Sequence, residues 1–206
     1  MKKLTQTIAC IIGFALASQM PASAQAFEEE QMDFSAGYGF GTLTGSYFSL
    51  YKDLEGYKQS ATGPAYLKFE YGVSDRIGIG LNLAYVKHEL SYMYDNGEYD
   101  GSGNLIKYTE TDDFSSWSAL VRINWHFGEL DKIDPYWGIG VGYRTGKWSY
   151  SSTDPNGTET LAVSDPFPFG FEATIGARYH FTDNIGLYVE TGLAKSVIQL
   201  GVNIKL

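Results

Sequence analysis

The sequence predicts an all-β fold: an eight-stranded antiparallel up-and-down transmembrane β-barrel, preceded by a cleaved signal peptide. Apolar residues alternate with polar or small residues in eight segments, which is the period of a strand with two different faces. After the first 26 residues the longest apolar stretches are about ten residues. A membrane-spanning helix needs about 20 residues and a spanning strand about 9–11. Short and long polar connections also alternate, as they do in membrane barrels.

Composition excludes several classes of function. The chain has 206 residues, with 24 Asp and Glu against 15 Lys and Arg, and a net charge of −9. This acidic balance argues against a nucleic-acid partner, which would require a basic patch. The single cysteine, Cys10, excludes a disulfide framework and a multi-cysteine metal site. We expect no cofactor and no metal.

The first residues are typical of an export signal. Two lysines are followed by an apolar run at residues 8–16, a proline at position 21 and small residues up to Ala26. This order is that of a secretory signal peptide, and the apolar run is too short to span a membrane as a helix. We therefore expect a signal peptide at 1–26 and an outer-membrane β-barrel domain at 27–206.

Eight segments carry the strand alternation. They are 34–41, 67–73, 77–85, 117–127, 137–144, 169–181, 185–190 and 198–206. Between them, residues 42–63, 95–115 and 149–166 are predicted to be long loops, with a short helix at 46–54. With an even number of strands, both termini are expected on the side of the short turns.

The apolar face of these strands is predicted to contact lipid. Trp117 and Trp125 lie on that face eight residues apart, about 20 Å along the axis of a tilted barrel, close to the apolar band between two aromatic girdles. The predicted girdle residues are Trp117, Trp125, Trp137, Tyr143 and Tyr179. A soluble eight-stranded barrel is the alternative, but its exterior would carry long polar side chains. The glycine-rich polar face here suits a crowded lumen.

The polar face also carries charges of both signs. The predicted lumen charge network consists of Lys68, Glu70, Arg122, Arg144, Glu172, Arg178, Glu190 and Lys205. Buried charges persist when they are paired and hydrogen-bonded, and an eight-stranded barrel is only wide enough for its own side chains. We expect salt bridges that plug the lumen. A gated ion path is the alternative.

The C-terminal segment resembles an outer-membrane assembly signal through Gln199, Gly201, Ile204 and Leu206. The chain as a whole resembles the small outer-membrane barrels of the OmpA, OmpX, OmpW and opacity type. This resemblance implies a location in the bacterial outer membrane and insertion by the barrel-assembly machinery. It also implies contact with membrane lipid and lipopolysaccharide, and a monomeric state. Members of this group are structural, adhesive, or carriers of small hydrophobic molecules.

We expect a structural or surface-binding barrel that acts through its long extracellular loops. The alternatives are porin-like or OmpW-like passage of small solutes and, less favoured, a lipid A-modifying enzyme. For such an enzyme, His126 and His180 lie beside the short turns, on the wrong side. His88 lies near the opposite rim, where it could meet Ser115 or Ser116. No catalytic motif supports this pairing, so no enzymatic activity is expected.

Acidic residues are concentrated in the second long loop, at 95–113, where Lys107 is the only basic residue. An EF-hand calcium loop is excluded because Lys107 occupies the position of the required final Glu. We expect a hydrated loop. A loose divalent-ion contact is the alternative.

Overall fold

The computed structural model describes residues 26–127, 131–156 and 161–206. Residues 1–25 of the predicted signal peptide lie outside this part. The strands are β1 (Met32–Phe40), β2 (Lys58–Ser74), β3 (Ile77–Tyr99), β4 (Leu105–His126), β5 (Ile133–Ser152), β6 (Leu161–Ser164), β7 (Phe169–His180), β8 (Ile185–Leu193) and β9 (Ile198–Lys205). Helix α1 (Leu43–Phe48) and a 3₁₀ turn (Ser49–Tyr51) lie between β1 and β2.

Eight of these strands form a closed ring. Each strand pairs antiparallel with its neighbours in the order β4, β3, β2, β1, β9, β8, β7, β5, and β4 pairs with β5 to complete the ring. The predicted eight-stranded up-and-down barrel is therefore confirmed. The sequence did not predict the short strand β6, which pairs with β5 beyond the ring. No described helix is both long and apolar enough to cross a membrane.

The two faces of the ring differ as the alternation predicts. Val141 on the outer face is 47 % exposed, whereas Leu120 on the inner face is 1 % exposed. Polar side chains dominate the buried inner face, the reverse of a soluble barrel with an apolar interior. Both ends of the ring-forming chain lie at the short-turn end, where Asp33 of β1 pairs with Lys205 of β9.

The strands on one side are longer than predicted. β3, β4 and β5 continue past the ring as a sheet, with Asp95 opposite Lys107 and Glu110 opposite Ser152. The prediction of a hydrated loop at 95–113 is therefore wrong for most of that segment. Most residues of this sheet are polar or aromatic, so no sustained apolar alternation marks it in the sequence. We call this part of the sheet the extension. It consists of β3 from Glu89 onward, β4 up to Ser115, β5 from Lys147 onward, and β6.

Two other boundaries differ from the predictions. The predicted helix at 46–54 begins earlier, because the Thr42 hydroxyl caps α1 by accepting a hydrogen bond of 3.0 Å from the Gly45 N–H. Strand β5 begins at Ile133 rather than at Trp137, with Pro135 inside it. Proline is depleted in strands, which concealed this start in the sequence. Residues 128–130 of the predicted turn before it lie outside the described residues.

Candidate functional site

One cluster in the lumen surrounds Arg178, near the short-turn end. The Arg178 guanidinium contacts three carboxylates from three other strands. Its Nη1 lies 3.2 Å from Asp33 of β1 and 3.2 Å from Asp134 of β5, and its Nη2 contacts Glu70 of β2. All four side chains are at most 5 % exposed. These bonds join β7 to strands on both sides of the barrel.

His126 of β4 extends the Arg178 cluster. Its Nδ1 lies 2.6 Å from Asp134 and its Nε2 lies 2.8 Å from Glu70. The ring of Phe27 stacks on His126 with a centroid separation of 3.5 Å and an interplanar angle of 2°. Because Phe27 is only 5 % exposed, it closes the lumen beneath this cluster.

A second cluster surrounds Arg122 of β4, nearer the middle of the barrel. Arg122 lies 3.0 Å from Glu190 and 3.3 Å from Glu172. Lys68 of β2 lies 2.8 Å from the same Glu190. The amide of Asn82 on β3 donates to Glu172 on β7 at 2.6 Å. This cluster therefore pairs two cations with two carboxylates.

Tyr136 of β5 joins the two clusters. Its hydroxyl donates to Glu190 at 2.7 Å, and its ring lies 4.7 Å from the guanidinium carbon of Arg178 and 5.9 Å from that of Arg122. Both guanidinium groups are within the range of a cation–π contact. The remaining cavity among these residues is about 10 Å³, no more than one water molecule needs.

Glycines on the inner face of β5 provide space for this packing. A β-carbon at Gly138 would lie 2.6 Å from Nη2 of Arg122, and one at Gly140 would lie 2.7 Å from Cγ of Glu172. The small residues therefore lie directly opposite the largest charged ones, as expected for a crowded lumen.

The structure brings together six of the eight predicted network residues: Lys68, Glu70, Arg122, Glu172, Arg178 and Glu190. The other two lie elsewhere. Lys205 is at the short-turn end, 3.5 Å from Glu28, and Arg144 is at the long-loop end, where its Nη2 donates to the Phe171 carbonyl at 3.2 Å. Each is on the predicted inner face, but far along the barrel axis from the two clusters. The alternation along a strand shows which face a residue is on and does not show its position along the axis.

Sequence reasoning missed several members of the two clusters. The missed residues all occupy inward-facing positions of their strands and are at most 5 % exposed; they are Asp33, Asn82, His126, Asp134 and Tyr136. Extending the strand alternation by a few residues would have found Asp33 and Asp134. Arg178 is paired with these aspartates and Glu70, not with Glu172 of its own strand.

His88 has a different partner from the one considered for an enzyme. Its Nε2 lies 2.8 Å from the Thr42 hydroxyl, and its Nδ1 has no hydrogen-bond partner among the described residues. In the register, His88 lies opposite Phe114. The Ser116 hydroxyl instead accepts a hydrogen bond of 2.5 Å from Lys195. Among the described residues, no group of three or more His, Cys, Asp or Glu could hold a metal.

The predicted girdle residues lie on the outer face at two levels. Trp117 and Tyr143 have ring centroids 4.9 Å apart toward the long-loop end. Trp125 and Trp137 are stacked at 6.4 Å toward the short-turn end, the end at which Tyr179 also lies, opposite Ile133. All five are 43–50 % exposed.

The predicted assembly residues lie on the last strand, β9, and directly after it. Ile204 pairs with Phe34 of β1 and Ile185 of β8, and Leu206 is 49 % exposed. Gln199 is buried, and a β-carbon at Gly201 would clash with the Ala36 carbonyl and the ring of Tyr188. The glycine of this segment therefore has a packing role within the lumen.

The ring, its polar lumen and its apolar exterior agree with a family match. The model of the outer membrane protein beta-barrel domain matches residues 12–201. The chain belongs to this family. It is therefore a protein of the bacterial outer membrane, where barrels have short turns on the periplasmic side and longer connections on the outer side. Comparison with curated proteins finds no match.

Solved structures of outer-membrane proteins are similar at low identity. The attachment invasion locus protein Ail of Yersinia pestis is 13 % identical, with a TM-score of 0.48, covering 86 % of this chain and 99 % of Ail. OprG of Pseudomonas aeruginosa is 11 % identical, with a TM-score of 0.45, covering 89 % and 99 %. The N-terminal β-barrel domain of OprF from the same organism is 15 % identical, with a TM-score of 0.36, covering 87 % and 99 %.

Proposed function

We infer that this protein is a closed outer-membrane barrel with a sealed lumen, acting as a structural or binding element at the cell surface. The observation that supports it is the pair of clusters around Arg122 and Arg178. Their contacts join β1, β2, β3, β4, β5, β7 and β8. An ion or solute entering the barrel would have to break several buried ion pairs, each costly to open.

The extension supports binding at the cell surface. It is an ordered sheet rather than a flexible loop, with β3 and β4 paired from Glu89 to Asp95. Its acidic side chains are spread over both strands, and burial followed by the neighbouring Asp113 carboxylate raises the pKa of Asp112. A rigid surface binds at a lower entropic cost than a loop that must first be ordered. We assign the surface role to this sheet.

Lipid, lipopolysaccharide and the assembly machinery are the partners that we propose for a monomeric barrel. The apolar outer face between the two girdles supports lipid contact. The hydrophobic end of β9 supports recognition during insertion. We propose no enzymatic activity, since His126 and His180 lie at the periplasmic end and His88 contacts Thr42.

The sealed lumen is tested by conductance of the refolded full chain in planar lipid bilayers. We expect no steady conductance from the wild type. The double substitution Arg122→Ala with Glu172→Ala removes one charge of each sign. It also removes the hydrogen bond between Asn82 and Glu172 across the lumen, so it should produce stable conductance steps. The heat-modifiable mobility of the folded barrel is the control for folding. Stable single-channel steps in the wild type would instead support passage of small solutes and overturn the sealed lumen.

A further inference from the structure

Two cations at the outer mouth of the lumen lack the carboxylate partners that the deeper arginines have. Among the described residues, no carboxylate lies within 4.0 Å of Arg144 or Lys195. The Nη2 of Arg144 donates to the Phe171 carbonyl, while its Nε is buried with no hydrogen-bond partner among these residues. Such a guanidinium N–H retains an unused donor.

The fold directs these two cations toward each other. Lys195 is in the connection between β8 and β9, and its ammonium reaches Ser116 of β4 at 2.5 Å, on the other side of the ring. On β5, Arg144 lies opposite Ser118, and Ser116 lies opposite Gly146. Ser116 and Ser118 share the inward face of β4 and are both buried. A hydroxyl, an ammonium and a guanidinium thus lie around the same part of the mouth.

The local electrostatics are consistent with this proximity. Burial, followed by the repulsion of Arg144, lowers the pKa of Lys195 to about 7, while Asp165 opposes the shift. The Asp165 carboxylate lies over Gly146, where its Oδ2 is 2.6 Å from the position of a β-carbon. It is the nearby counter-charge. One carboxylate against two cations leaves this region positive.

We propose that Ser116, Arg144 and Lys195 form a binding site for an oxyanion, such as a phosphate, sulfate or carboxylate group. An oxyanion supplies several acceptor atoms, which suit an unused guanidinium N–H, an ammonium and a hydroxyl. This site rests on the proposed function and adds the class of ligand that the protein binds. Because the lumen is sealed, the anion is held at the mouth and does not pass through the barrel. The source is either a free anion or the phosphate of a lipid headgroup.

The test is a titration of the refolded full chain with inorganic phosphate, in vesicles of zwitterionic lipid at constant ionic strength and at about pH 6, where Lys195 is protonated. We expect saturable changes in the amide resonances of Ser116 and Lys195. Arg144→Gln and Lys195→Gln should each weaken binding about tenfold, the effect of losing one charge-assisted hydrogen bond. Asp165→Asn should tighten binding, because it removes the competing carboxylate. Lys52→Gln, which changes an exposed lysine outside the site, should leave binding unchanged.

A second arm separates the two sources of the anion. The protein is placed in vesicles containing a lipid with a phosphate monoester headgroup, with no phosphate added. Resonance changes that disappear in Arg144→Gln would indicate a lipid headgroup, whereas changes only on addition of phosphate would indicate a free anion. No saturable change in either arm, or equal binding by the wild type and both glutamine variants, would overturn the site. A conducting wild type would overturn the sealed lumen without altering this result.

Discussion

The deep lumen and its outer mouth use the same residue types on the same face, with opposite results. Arg178 contacts three carboxylates and Arg122 contacts two. Arg144 also points into the barrel, yet its guanidinium donates to a backbone carbonyl. The difference is depth. A charge in the sealed part of the lumen has no water and must be paired, whereas one at the mouth can be hydrated or bind a ligand.

This comparison shows that parity and depth carry separate information. The alternation along a strand determines whether a side chain points into the barrel. Its position along the barrel axis determines whether it has a structural or a binding role. Substituting equivalent residues at the two levels is therefore the direct test.

The largest expected effect is that of Arg178→Ala. It leaves Asp33, Glu70 and Asp134 buried without their cation, which should lower the free energy of unfolding by roughly 3–5 kcal/mol. Urea unfolding of the protein in lipid vesicles measures this change. The matched control is Arg144→Ala, for which we expect a loss of about 1 kcal/mol or less. Equal losses in the two variants would remove the distinction between deep lumen and mouth.

The next largest effect is expected from a comparison of two substitutions on β5, one in the membrane part of the strand and one in the extension. Val141 lies on the outer face between the two girdles, so Val141→Arg should cost roughly 2–4 kcal/mol near the membrane midplane. Ser151 is an exposed residue of the same parity on β5 beyond the ring, and Ser151→Arg should change stability by about 0.5 kcal/mol or less. Refolding titrations in vesicles measure both. A larger loss for Ser151→Arg would contradict the assignment of the lipid-facing band.

The smallest effect is a pH dependence at the mouth. Because the pKa of Lys195 falls from 10.5 to about 7 on folding, the unfolded chain holds a proton between these values that the folded chain has released. Stability should therefore rise with pH over this window, and it should show no slope from Lys195 below pH 7.

The control for the pH dependence is Lys195→Met, which cannot titrate. Relative to this variant, the wild type should gain on the order of 1 kcal/mol per pH unit between pH 7 and 10.5. The charged groups near Lys195 are Arg144 and Asp165. Parallel profiles for the two proteins in urea unfolding would show that Lys195 is not buried beside Arg144.

The sequence by itself determined the number of ring strands, their lipid-facing and lumen-facing sides, and the position of the predicted girdle residues on the outer face. These follow from local alternation, because a strand in a membrane barrel has one apolar and one polar face. Six charges of the lumen network were identified in the same way. Only the tertiary structure decided which charges pair, because register and strand tilt set the depth of each side chain. Only the tertiary structure showed that β3, β4 and β5 continue beyond the membrane, where no lipid imposes an apolar face. It also showed that Lys195 reaches across the mouth to Ser116.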